Sequence, residues 1–142
     1  MNKHLEELET IFIPFNTASS KNSRIFNAKL KRSFESKAMQ KYRKSATQYY
    51  QDYQPRFKEL AADKSKPLFI GLHFVRDSRR RWDFHNICQS TLDLMTQYGW
   101  IDDDDSKNIF PIPFPINDEW EGLDKENPGV YITILNGHSV NF

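Results

Sequence analysis

The chain has 142 residues, of which 38% are hydrophobic and 27% charged, with 20 Lys and Arg against 19 Asp and Glu. That composition excludes a disordered polyelectrolyte and provides enough apolar material for one core, so a single domain over residues 1–142 is expected. No apolar run approaches the roughly 20 residues of a bilayer span. The opening residues carry no secretory h-region, and the one cysteine, Cys88, has no internal disulfide partner, so a cytoplasmic protein is expected.

The balanced total hides an asymmetry. Residues 1–100 carry 18 basic and 10 acidic side chains, whereas residues 101–142 carry 2 and 9. Nine of the basics fall within residues 21–44, next to a single acid, Glu35. Arg79, Arg80 and Arg81 form a second group with Arg76. A basic surface suits a phosphate backbone, and a concentrated acidic one suits a divalent cation. Charge blocks of this kind also occur as plain solvated faces.

Taken in order, residues 10–15 read as a strand stopped by Pro14, and the polar residues 16–23 as a loop. Residues 24–35 alternate loosely and read as a basic hairpin or arm, at about residues 21–36. Ser36 is a candidate N-cap. Met39, Tyr42, Ala46, Tyr49, Tyr50, Tyr53, Phe57 and Leu60 then recur at helical spacing, with Pro55 expected to kink or split the helix.

Residues 67–75 read as a buried strand. Phe84, Ile87, Cys88, Thr91, Leu92, Met95 and Tyr98 form a second helical stripe, ended by Gly99 at C′. Apolar segments 109–116 and 130–135 supply late strands. The expected fold class is α/β (α+β), a small mixed sheet packed with two main helices.

Chemistry concentrates between Arg79 and Asp105. Asp83 stands at the start of the second helix, as an N-cap or a metal ligand. Asp102, Asp103, Asp104 and Asp105 follow the helix, as a solvated turn or a cation site. A helix of about 15 residues is roughly 22 Å long, so its two ends share a cation only if the chain past Gly99 doubles back, or across an oligomer interface. Were residues 83–85 extended, Asp83 and His85 would point to one side; in a regular helix they would diverge.

These segments, in this order, resemble the RusA-type Holliday junction resolvases. The pieces are Ile13-Pro14-Phe15, Ser19 to Ser23, Ser36-Lys37-Ala38 with Tyr42-Arg43, and above all Arg79 to Asn86 followed by Leu92-Asp93-Leu94 and Gly99 to Asp104. The resemblance implies a homodimeric endodeoxyribonuclease of DNA recombination and repair that uses Mg²⁺ or Mn²⁺ to cut branched DNA. By position it implies catalytic acids at Asp83, Asp103 and Asp104, with His85 joining them as metal ligand and Asp105 substituting if the loop has one insertion. Lys21, Arg24, Lys29, Lys31, Arg32, Lys37, Arg79, Arg80, Arg81 and Gln89 would face DNA. Two positions depart from the pattern: His85 stands where the family has a second Asp, and Gln89 where it has a helix lysine. A non-catalytic junction-binding protein with a degraded metal site is the alternative.

Overall fold

The computed structural model describes residues 9–19, 24–27 and 32–137. Five strands form a mixed sheet: β1 (Glu9–Pro14), β4 (Leu68–Arg76), β5 (Ile109–Pro113), β6 (Gly122–Leu123) and β7 (Gly129–Ile134). The order is β1-β7-β4-β5, with β6 also paired to β4. β7 runs antiparallel to both β1 and β4, in the registers Ile11 opposite Ile132 and Leu72 opposite Ile132. β5 and β6 run parallel to β4. A separate hairpin pairs β2 (Arg24–Asn27) with β3 (Arg32–Glu35), as the alternation of residues 24–35 suggests. The fold is α+β, with two helices, α1 (Lys37–Ala61) and α2 (Phe84–Gln97).

Period-2 patterning places Ile11 and Ile13, Ile70, Leu72 and Phe74, and Val130, Ile132 and Ile134 inward, all fully buried or nearly so. The helices cover that face with Met39, Tyr42, Ala46, Tyr50 and Phe57 from α1 and Ile87, Cys88, Leu94 and Met95 from α2. No described helix is long and apolar enough to cross a membrane.

Ser36 caps α1, its Oγ accepting the Met39 N–H at 3.2 Å. Pro55 does not split this helix. It lies on the exposed face, so the carbonyl it leaves without an N–H partner is open to water, while Tyr50 and Phe57 on the other face are locked against Trp100. Tyr49 and Tyr53 belong to the stripe read from the sequence, yet they remain more than a third exposed. β6 has no counterpart in the sequence reading, because two residues show no periodicity.

β4 and β5 are parallel neighbours, so a crossover must join them, and α2 is that crossover. This positions everything that follows. Asp83 leaves the end of β4 to start the helix, and the acidic run returns the chain to the start of β5.

Candidate functional site

The two ends of α2 are built differently. At its start Asp83 is extended (φ −120°, ψ 120°), and its Oδ1 accepts the His85 N–H at 2.9 Å. Asp83 is therefore the N-cap, and His85 is already helical. The extended geometry that would align their side chains does not occur. The His85 ring is exposed and lies edge-on to Phe84, with centroids 6.2 Å apart.

At its end α2 reverses through a Schellman turn. Gly99 takes φ +78°, a conformation glycine adopts without strain, and the Trp100 N–H reaches back to the Met95 carbonyl at 2.8 Å. Trp100 is buried, stacks on Phe57, and donates its Nε1–H to the Tyr50 carbonyl at 2.7 Å. That anchor on α1 turns the chain back alongside α2 rather than away from it.

The four aspartates then separate by role. Asp102 pairs with Lys66 at 3.0 Å, and this ammonium holds its carboxyl below the usual carboxylate range. Asp103 accepts the Asp104 N–H at 2.8 Å. Asp105 closes the turn into β5, its Oδ1 accepting from the Lys107 N–H at 3.2 Å and the Asn108 side chain at 2.7 Å. Asp104 alone reaches α2, where its Oδ2 accepts from Gln89 Nε2 at 2.8 Å. The chain past Gly99 does double back, which brings Asp104 to Gln89, two turns along α2 from Asp83 rather than the full helix of about 22 Å.

Asp83, Asn86, Gln89 and Asp93 follow one another at steps of three, three and four, which places them along one stripe of α2. Gln89 Nε2 also donates to Asp93 Oδ1 at 2.7 Å, so one amide bridges two carboxylates. Among the described residues, no three His, Cys, Asp or Glu side chains are gathered as a ready cation cluster. In kind, though not gathered into one cluster, the exposed carboxylates of Asp83, Asp103 and Asp104 and the imidazole of His85 suit a divalent cation.

Of the basic residues, Arg79, Arg80 and Arg81 are exposed on the segment entering Asp83, and Lys37 is exposed in the first turn of α1. Arg24 and Arg32 belong to the hairpin strands, while Lys21, Lys29 and Lys31 lie outside the described residues. Arg43 is held by Glu35 at 2.8 Å and so is neutralised within the fold.

The sequence reading missed several groups at this site. The 16–19 segment packs against it: Asn16 Oδ1 accepts the Asp77 N–H at 3.1 Å, the Thr17 carbonyl accepts from Arg76 at 2.8 Å, and Ser90 donates to the Ala18 carbonyl. Trp82 stacks beside Arg76 and donates its Nε1–H to the Glu121 carboxylate.

The arrangement is an acid-lined helix flanked by arginines, with the whole sheet as its support. Over residues 14–134, from the last residue of β1 to the last residue of β7, the chain matches the family model of endodeoxyribonuclease RusA. It belongs to the RusA endodeoxyribonuclease family. No curated protein matches it. The RusA match covers both the helix that Asp83 caps and the returning Asp104.

Proposed function

We propose that this RusA family member is a divalent-metal-dependent endonuclease that cuts branched DNA such as Holliday junctions, acting as a homodimer. The observation that carries this reading is the return of Asp104 to the helix capped by Asp83, within a chain matched to the family over nearly its full length.

Asp83, Asp103 and Asp104 would hold Mg²⁺ or Mn²⁺, with His85 as a nitrogen donor beside them and Asp105 keeping the loop in shape. A cation held by these residues would supply a lowered pKa for attacking water and a charge offset at the leaving oxygen. The protein's own groups do the rest. Asp83 serves twice, because capping α2 with Oδ1 fixes the direction of its second oxygen. Gln89 holds Asp104 against the helix, its two amide N–H groups shared between Asp104 and Asp93. Arg79, Arg80 and Arg81, with Lys37 and the basic hairpin carrying Lys21, Arg24, Lys29, Lys31 and Arg32, contact backbone phosphates, which position a duplex without reading its sequence.

A labelled four-way junction incubated with Mg²⁺, Mn²⁺ or EDTA tests the reading. Paired nicks in either metal and none in EDTA are expected. Binding in EDTA without nicking in any metal would leave a junction-binding protein with a degraded centre. Sedimentation as a monomer at micromolar concentration would remove the homodimer, since paired cuts need two centres.

A further inference from the structure

Two cavities meet at Arg76, the first of them at the start of α2. One, about 400 Å³, is lined by Arg81, Trp82, Asp83 and Asn86. The other, about 570 Å³, lies between the 15–19 segment and α1, and is lined by Lys41, Tyr42 and Lys125. Among the described residues only Ser19 and Arg76 line both.

Arg76 is fixed at that junction. Its Nη1–H donates to the Thr17 carbonyl at 2.8 Å, and its guanidinium carbon lies 5.3 Å from the centre of the Trp82 ring. Trp82 is itself tethered to the Glu121 carboxylate. Among the described residues the Arg76 guanidinium makes no other hydrogen bond and no ion pair; Asp77 and Glu121 act on it only at longer range. Burial works against its charge. A partly desolvated guanidinium without a carboxylate costs stability, and its planar fork leaves several N–H groups to offer. Holding it rigid before an anion arrives removes most of the ordering cost of binding that anion. Arg81 lines the first cavity beside Asp83, and Lys41 and Lys125 line the second beside Asp77 and Glu126, so cationic side chains continue from Arg76 into both cavities.

We propose that Arg76 grips a DNA backbone phosphate beside Asp83, joining the two cavities into one path for a single strand. This rests on the nuclease reading and adds to it where the strand runs: from the Asp83 cavity across Arg76 toward Lys41 and Lys125. The chemistry recognised is a phosphate oxygen pair, supplied by a phosphodiester rather than by free phosphate.

The test is junction binding in EDTA across a salt series, comparing wild type with Arg76→Gln and Arg76→Lys, each checked for folding by thermal melting. Arg76→Gln is expected to lower affinity about tenfold and to reduce the log–log salt slope by about 0.9. Arg76→Lys is expected to keep the slope while losing affinity with the fork. A folded Arg76→Gln protein with unchanged affinity and slope, in a background where wild type still cuts, overturns this assignment and leaves the nuclease reading standing. A wild type that neither binds nor cuts junctions overturns both. If the glutamine variant fails to fold, the Arg76 Nε–H resonance of the wild type decides. It should shift on adding DNA in EDTA and stay put with inorganic phosphate at equal phosphate concentration. A resonance unmoved by DNA, or moved equally by inorganic phosphate, overturns the proposal.

Discussion

Gln89 and Asp104, 15 residues apart in the chain, meet at 2.8 Å, and the same amide nitrogen reaches Asp93 at 2.7 Å. A neutral donor thus sits where two carboxylates converge, a place that electrostatics would fill more readily with a cation. Gln89→Lys should therefore be tolerated in folding and should raise the cleavage rate, on the order of tenfold, by adding positive charge where the transition state gains negative charge. Single-turnover cleavage of a four-way junction measures it. A lysine variant that folds normally and cuts no faster would separate Gln89 from the chemistry.

Asp83 carries two duties that different substitutions divide. Asparagine caps a helix about as well as aspartate, so Asp83→Asn should keep thermal stability and junction binding while abolishing cleavage. Asp83→Ala should lose cleavage and also about 1 kcal/mol of stability, because the His85 N–H loses its acceptor. Denaturant melts alongside nicking assays distinguish the two losses. Nicking retained by Asp83→Asn would take this carboxylate out of the mechanism.

His85 offers an exposed imidazole where a carboxylate would favour Mg²⁺. Imidazole suits Mn²⁺ better, so cleavage should be faster in Mn²⁺ than in Mg²⁺, and His85→Asp should shift the preference toward Mg²⁺. Rates at matched metal concentrations test this. Identical metal preference in both proteins would leave His85 as a surface residue of the first helical turn.

His73, buried on β4, shares a 2.8 Å hydrogen bond through Nδ1 with the Phe114 carbonyl, and burial holds its pKa below the ordinary 6.5. The folded state thus favours the neutral ring. Its stabilising contribution is complete above about pH 6.5 and is lost as pH falls through the lower folded-state value. Thermal melts of wild type should drop more between pH 7 and pH 5 than those of His73→Gln. Parallel pH profiles would show that other groups govern the acid limb.

Cys88 packs on the apolar face of α2, and burial pushes its thiol up to about 12. Neutral and enclosed, it should resist iodoacetamide at pH 8 in the native protein and react fully once denatured. Mass spectrometry reads both states. Rapid native alkylation would mean that α2 opens far more often than its buried contacts imply.

The regular elements were legible because their periodicities are long. β1, α1, β4, α2 and β7 each repeat an apolar residue often enough to declare a strand or a helix. The stop at Gly99 was equally plain, whereas Asp83 read as either a cap or a metal ligand, and the structure shows it capping α2. The meeting of Asp104 with Gln89 was not plain, since it depends on Trp100 docking against Tyr50 and Phe57, contacts some 50 residues away in sequence. Nor could the run of four aspartates be divided: which carboxylate bonds Lys66, which closes a turn and which reaches the helix follows from the path of the loop. Arg76 was read only as part of a basic group, because a lone arginine ending an apolar strand resembles an ordinary solvated end. What distinguishes it is the Thr17 carbonyl and the Trp82 ring, neither of which its sequence neighbours reveal.

The position of β7 bears on when the candidate site gains its support during synthesis. Residues 129–134 are the latest of the described strands to leave the ribosome, yet they lie between β1 and β4. Until they emerge, the two earlier strands face each other across an empty slot, and β4, from whose end the chain enters Asp83, lacks its longest partner. A nascent or truncated chain ending before Gly129 can hold both helices and every acidic residue discussed above and still have no rigid floor beneath them. Any chemistry that rests on those residues is thereby deferred until β7 has emerged and closed the sheet beneath them.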